Sequence, residues 1–218
     1  MSGISRPAPL RIRSPSCCRC PSSTKPKGAP VSLLDDCSRA LSNVRQAHID
    51  HLLALGVSAD ALAGLGSRQM PFGVERIDTD DAGRWWPDPE GRPALVVPVI
   101  ERGELIDIVA FRSSQPARWW WRVGCGSILG ADVMERSVWP GDKLLVVGTP
   151  LAWIAAEGQA CCILDWGLPD CEVAALRDQN EILCDTTMLA ARLRRRLSQP
   201  RRVPPITVEM GNANVAAA

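Results

Sequence analysis

The sequence predicts an α/β protein: a short helical pair, an antiparallel β region, and a small parallel-sheet unit over the C-terminal half. Three observations predict it. Apolar residues recur at three- and four-residue steps from about 38 to 55, a helical period. Two apolar runs, ALVVPVI at 94–100 and LIDIVAF at 105–111, flank a turn containing Gly103, as in a hairpin. Beyond 139, short apolar runs alternate with one- to three-turn helical patterns, the mark of βαβ units around a buried parallel sheet.

Residues 1–34 are rich in Pro, Ser, Arg and Gly and show no period. They read as a disordered basic tail, or as translation from an upstream start codon. Leu41, Val44, His48, Leu52 and Leu55 then mark one helix that Gly56 stops, and Ser58 caps a second that ends near Gly64 or Gly66. In the β region, Glu101–Glu104 is expected as a four-residue hairpin loop, and RWWWRV at 118–123 as a third strand. Segments 72–77 and 84–86 add a further hairpin. Pro98 cannot donate to a ladder, so its strand is expected at an edge or a bulge.

After the turn at 139–142, strands are expected at 144–147, 161–164 and 182–184. Helices follow them at 150–157, 170–177 and 187–197. The domain boundaries expected are 1–34 tail, 35–138 helical pair and β region, 139–198 α/β unit, and 199–218 tail.

The net charge of +1 hides an uneven distribution. Residues 1–34 carry six cations and no acid, and residues 192–218 carry six Arg and one Glu. The body, 35–191, is left with 13 cations against 23 acids. An acidic body does not draw a polyphosphate over its whole surface, so nucleic-acid contact is expected at the ends. No apolar run reaches the roughly 18 residues of a membrane span, and no secretory signal is visible. Nine Cys, an odd number, read as reduced thiols in a cytoplasm, with Cys161, Cys162 and Cys184 as small core residues.

Several residue groups invite a chemical reading. Cys17 and Cys20, with Cys37 or with His48 and His51, have the ligand types of a zinc site, against which stands a Pro-rich tail beside helix-surface histidines. Asp78, Asp80 and Asp81 are carboxylates suited to a hard cation, or simply an acidic turn. Trp119, Trp120 and Trp121 offer stacking surfaces for bases, yet strand alternation sends Trp120 to the opposite face, so at least one should enter the core. Gly148-Thr149-Pro150 follows a strand and opens a helix, a place for an anion, without the Lys and flanking glycines of a P-loop. Arg192, Arg194, Arg195, Arg196, Arg201 and Arg202 are the strongest charge signal. On a helix, Arg192, Arg195 and Arg196 share a flank while Leu189, Leu193 and Leu197 face the core. That flank is either a solvated face suited to a helix C-terminus or a surface for phosphates or an acidic partner.

The succession LLVVGTPLAW, CCILDWG, EILCDTTMLAARLRRRL resembles a Toprim domain, the α/β module of bacterial-type primases and topoisomerases. The preceding HIDHLLALGVSADALAGLG, GELIDIVAF and ARWWWRVG are similar to the segment before Toprim in phage and mobile-element primase-like proteins. The resemblance spans roughly 45–197 and implies a Rossmann-like parallel sheet. In the family a glutamate and a glycine follow the first strand and an acid opens the helix. Those positions here are Gly148, Thr149 and Ala152. The family's Asp-x-Asp falls on Asp185-Thr186-Thr187, leaving Asp185 as the single retained metal-ligand candidate. Magnesium-dependent phosphoryl chemistry needs several converging carboxylates, so the expectation is a scaffold without catalysis and without a cofactor. Glu157 and Asp165 are the acids available as substitutes, each expected at the wrong end of its element.

The function implied is an accessory or relic protein of a bacterial or phage DNA replication or mobile-element system, in contact with DNA or RNA through its C-terminal arginines. Two alternatives stand beside it: a protein-interaction module that binds no nucleic acid, and a primase-like enzyme with a relocated metal site. No membrane partner is expected.

Overall fold

The structure, a computed structural model, describes residues 32–63, 71–136 and 141–200. It is a mixed α/β arrangement of a five-stranded antiparallel sheet and a four-stranded mixed sheet. The helical segment expected over 38–55 is broken in two, α1 (Leu33–Ser42) and α2 (Gln46–Ala54). Ser32 caps α1 by accepting from the Asp35 N–H, and extended Arg45 opens α2. The break has a packing cause. Ala40 of α1 is buried among Ile77, Trp85, Val96 and Ile108 on one face of the antiparallel sheet. Leu52 of α2 is buried among Phe72, Val97, Val109 and Phe111 on the other. One straight helix cannot cover both faces. The short α3 (Ala59–Ala63) is capped by Ser58 Oγ, which accepts from the Ala61 N–H.

The antiparallel sheet holds β1 (Gly73–Thr79), β2 (Trp85–Pro87), β3 (Arg92–Glu101), β4 (Glu104–Arg112) and β5 (Gln115–Trp121), in the order β2-β1-β3-β4-β5. Glu101 pairs with Glu104, so the β3–β4 loop is only Arg102 and Gly103, tighter than the four residues expected. Both have positive φ, 51° and 76°, the two-residue turn whose twist suits a hairpin. Pro98 lies on a central strand, but β1 starts opposite Val96 and leaves β4 as the only partner at Pro98. A bulge follows at Val99/Ile100, so the missing N–H costs no ladder bond.

Two buried polar devices fasten this sheet. Arg122 Nε donates to Asp36 Oδ2 at 2.7 Å, Arg39 donates to the other Asp36 oxygen at 2.6 Å, and Arg39 Nε donates to Glu75 at 2.6 Å. This chain clamps α1 to β1 and to the segment after β5. Asp107, fully buried in β4, accepts from the backbone N–H groups of Ile108, Arg122, Val123, Gly124, Cys125 and Gly126. A loop folded around one carboxylate in this way is a backbone nest.

The mixed sheet holds β6 (Ile128–Leu129), β7 (Leu144–Val147), β8 (Cys161–Ile163) and β9 (Ile182–Cys184), in the order β6-β8-β7-β9. β7 pairs in parallel with both β8 and β9, whereas β6 runs antiparallel to β8. The parallel alternation expected from 144 onward is present, and β6 corrects the expectation of a purely parallel sheet. Helix α5 (Pro150–Ala155) covers one face, where Ile154 packs with Val147 and Cys162. Helices α4 (Ala131–Arg136), α6 (Asp170–Arg177) and α7 (Thr187–Leu197) cover the other, where Val133, Val173, Leu176, Leu189 and Leu193 pack with Leu144, Val146 and Cys161. One apolar cluster runs from α2 across the antiparallel sheet to α5 and the mixed sheet. Among the described residues, no helix is long and apolar enough to cross a membrane.

Candidate functional site at the carboxyl edge of the mixed sheet

Parallel strands end at a common edge, and in open α/β sheets ligands bind outside the carboxyl ends of the strands. Here β7 delivers Gly148 and Thr149 to that edge, β8 delivers Asp165, and β9 delivers Asp185. The Gly148 N–H donates to Asp185 Oδ2 at 2.8 Å, and the Asp185 N–H donates to the Val146 carbonyl at 3.2 Å. A Cβ placed on Gly148 would lie 3.6 and 3.7 Å from the two Asp185 carboxylate oxygens, ordinary contact. Positions 148 and 185, singled out from the sequence on separate strands, are therefore neighbours. Only one of them carries an acid.

The rest of the edge is built for helix starts. Thr149 Oγ1 accepts from the Ala152 N–H at 3.1 Å with Pro150 in the first turn, and Thr186 Oγ1 accepts from the Leu189 N–H at 3.2 Å. The anion place suggested by Gly148-Thr149-Pro150 is filled from within, since the Gly148 N–H already holds the Asp185 carboxylate.

Asp165 departs from its expected location. It lies two residues past the end of β8, at the same edge as Asp185, not at the wrong end of its element. Because β7 lies between β8 and β9, two strand spacings separate the positions, about 10 Å. Asp165 instead accepts from the Gly167 N–H at 2.8 Å. Glu157 lies past the far end of α5, with φ 58°, and accepts from Ser58 Oγ at 3.4 Å. Among the described residues, no three His, Cys, Asp or Glu are placed to share a metal ion.

The thiols beside this edge are held protonated. Burial, then the Asp185 charge, then Cys161 push the Cys162 thiol far above its ordinary range. Burial and Asp185 also raise Cys184, with Arg194 opposing them.

The other residue groups resolve into structural roles. Cys17 and Cys20 lie outside the described residues. Cys37 is half-buried on α1, its thiol raised by burial and by Asp36. His48 Nδ1 accepts from the Arg45 N–H at 3.0 Å, and His51 Nε2 meets Ser113 Oγ at 2.9 Å, so the two rings serve different elements. Asp78, within β1, and Asp80 accept from the Thr79 and Arg84 N–H groups, and Asp80 and Asp81 lie at the turn between β1 and β2. Trp120 is buried under Arg112 and Arg118, each 5.2 Å from its ring centre. Trp119 Nε1 donates to the Leu164 carbonyl at 3.2 Å and Trp121 Nε1 to the Gly126 carbonyl at 2.9 Å.

No protein-family model, curated protein or solved structure matches the chain.

The arginines of α7 divide. Arg192 stacks 4.0 Å over the Trp166 ring, and Arg196 donates to the Leu168 carbonyl at 2.7 Å. Both hold the loop that leaves β8, yet Arg192 stays exposed like Arg195, so the flank expected for Arg192, Arg195 and Arg196 is solvated at two positions and partly buried at Arg196. Arg194 and Arg195 are exposed, and among the described residues their guanidinium groups form no ion pair. Arg201 and Arg202 lie outside the described residues. Arg177, which the sequence reading passed over, binds the Leu197 carbonyl at the end of α7.

A second acidic group escaped notice at the seam between the sheets. Glu101, at the end of β3, is lifted to about 7 by burial, then by Glu172, with Arg102 opposing and Asp132 adding. Glu172 on α6 is raised by burial, eased by the 3.0 Å bond from Ser127, and raised again by Asp165. Among the described residues, its other oxygen is buried without a partner. Nearby, Arg84, Trp121, Gly124, Ser127 and Asp165 line a cleft of about 150 Å³.

Proposed function

We propose that the chain is a Toprim-like scaffold without catalytic chemistry, an accessory or relic of a bacterial or phage DNA replication or mobile-element system. The observation that carries the reading is the meeting of Gly148 and Asp185. Phosphoryl chemistry of the family type needs an acid at each position, one of them able to move a proton. Glycine supplies neither a ligand nor a proton, and the remaining carboxylate is tied to the Gly148 N–H. Arg194 and Arg195, exposed on α7, are among the described cations open to a phosphate backbone.

A mobility-shift or anisotropy titration with short DNA tests the reading across a salt series. Binding should weaken steeply with salt, and Arg194→Ala with Arg195→Ala should lower the log–log slope by about 1–2. Magnesium- or manganese-dependent primer synthesis or DNA cleavage, lost in Asp185→Ala, would overturn it.

One observation favours a second reading, a protein-interaction module. Arg192 stacks on Trp166 and Arg196 donates to the Leu168 carbonyl, so two of the four arginines of α7 already have structural partners. Absence of DNA binding at low salt, with capture of an acidic partner lost on replacing Arg194 and Arg195, selects that reading.

A further inference from the structure

The cleft at the seam between the sheets stands where the strand order of the mixed sheet makes an opening. After β7 the chain crosses on the α5 face, and after the neighbouring β8 it crosses on the α6 face. Adjacent parallel strands whose following helices leave to opposite faces open a crevice outside their carboxyl ends, where open α/β sheets take ligands. The cleft borders the carboxyl end of β8. Leu164 and Asp165 donate their N–H groups to the Ser127 carbonyl at 2.8 and 3.1 Å, and Ser127 and Asp165 both line the cleft.

The other wall comes from the antiparallel sheet and is held from behind. Trp121 donates its backbone N–H to the Gly83 carbonyl and its indole N–H to the Gly126 carbonyl, each at 2.9 Å, which sets Arg84 beside it. The loop at 122–126 is pinned through its N–H groups on the buried Asp107 carboxylate. Gly124 has φ 84°, and a Cβ there would collide with the Arg84 guanidinium, which lies in the space glycine leaves. A wall fixed in this way is in place before any ligand arrives, which keeps the ordering cost of binding low.

Two charges of opposite sign line this cleft without meeting. Arg84 and Asp165 form no ion pair with each other, and Asp165 is exposed with one oxygen on the Gly167 N–H. Separated charges in so small a space suit a molecule that carries both signs. A carboxylate matches the fork of the guanidinium, and an ammonium matches the Asp165 carboxylate. At about 150 Å³ the cleft is below the roughly 300 Å³ at which pockets for drug-sized ligands begin, so it admits a small molecule and not a whole nucleotide. We propose that this cleft binds a small zwitterion, a free α-amino acid with a short side chain, with Arg84 on the carboxylate and Asp165 on the ammonium. The assignment is independent of nucleic-acid binding by α7.

Thermal unfolding and calorimetric titration of the full-length chain, at constant ionic strength, test it. The probes are glycine, L-alanine and L-serine, set against acetate and ethylammonium, which carry one charge each. At least one amino acid should raise the melting temperature at millimolar concentration and bind about tenfold or more tighter than either single-charge probe. Arg84→Gln and Asp165→Asn should each weaken that amino acid about tenfold or more, because each removes a charge-assisted bond. Unliganded melting temperatures near that of the parent establish that the variants fold, and the comparison of probes on the parent needs no variant. Three outcomes would overturn the proposal: no binding of any of the three amino acids, acetate or ethylammonium binding as tightly as they do, or unchanged affinity in either folded variant.

Discussion

The Gly148 backbone N–H donates to the Asp185 carboxylate at 2.8 Å across the ends of two adjacent parallel strands. Under the proposed Toprim-like reading, the contact joins the two positions where a divalent ion would need acids. It makes the missing side chain at 148 the most informative residue to restore.

Gly148→Glu should be tolerated and should create ion binding. Position 148 has no positive φ, and a new Cβ meets the Asp185 oxygens only at ordinary contact distance. Without metal, the added charge beside Asp185 should cost about 1 kcal/mol or less. With millimolar manganese the melting temperature should rise, because an ion that binds the folded state alone stabilises it. Calorimetric titration of the variant and the parent with manganese checks this: heat of binding in the variant only, and none in Gly148→Glu combined with Asp185→Asn.

Asp107→Ala should be among the most damaging single changes. It strips the acceptor from five backbone donors at residues 122–126, four part-buried and one buried, and an unsatisfied buried group costs about 1–3 kcal/mol before relaxation. A loss of roughly 3–5 kcal/mol in urea unfolding is expected, with Asp107→Asn in between because one amide oxygen can still accept.

Gly73→Ala tests the approach of α1 to the sheet. A Cβ there would sit 2.7 Å from the Ala40 backbone carbon, closer than such atoms come. The helix must shift, and a destabilisation of about 1–3 kcal/mol follows. Gly103→Ala, where no atom lies within 4 Å but φ is 76°, should cost less, about 1 kcal/mol of backbone strain.

The Glu101–Glu172 seam predicts a pH dependence of stability. Burial lifts Glu101 from 4.5 to about 7 and also raises Glu172, so the folded chain holds these protons more tightly than the unfolded chain. Their contribution is complete below pH about 4.5 and is lost as pH rises through about 7. Partial exposure keeps the effect modest. Urea midpoints measured from pH 5 to pH 8, about one unit apart, should fall across the range, and Glu101→Gln should flatten the fall.

Much of the fold was legible because local patterns and packing agree. The strands at 94–100 and 105–111 and the parallel runs at 144–147, 161–163 and 182–184 appear where their apolar pattern puts them. The helix across 38–55 misled because its apolar period continues through Asn43, while the packing partners change sides of the sheet there. Periodicity records which residues are apolar, not which face they serve. β6 was illegible, since two residues carry no period. Asp107 left a trace, a lone acid inside LIDIVAF, but its donors come from a loop 15 or more positions away. The pairing of 148 with 185 was legible only through the resemblance, and its distance required the sheet order.

Trp119 and Trp121 anchor their indole N–H groups on carbonyls beyond their own strand, the first on Leu164 at the end of β8. With no Tyr and two Phe in the chain, ultraviolet emission comes almost wholly from its eight indoles. Trp119 alone of this pair reaches the mixed sheet, so when the two layers part its ring meets water, and a variant that keeps Trp119 as the single indole would report the opening as a red shift without any added dye.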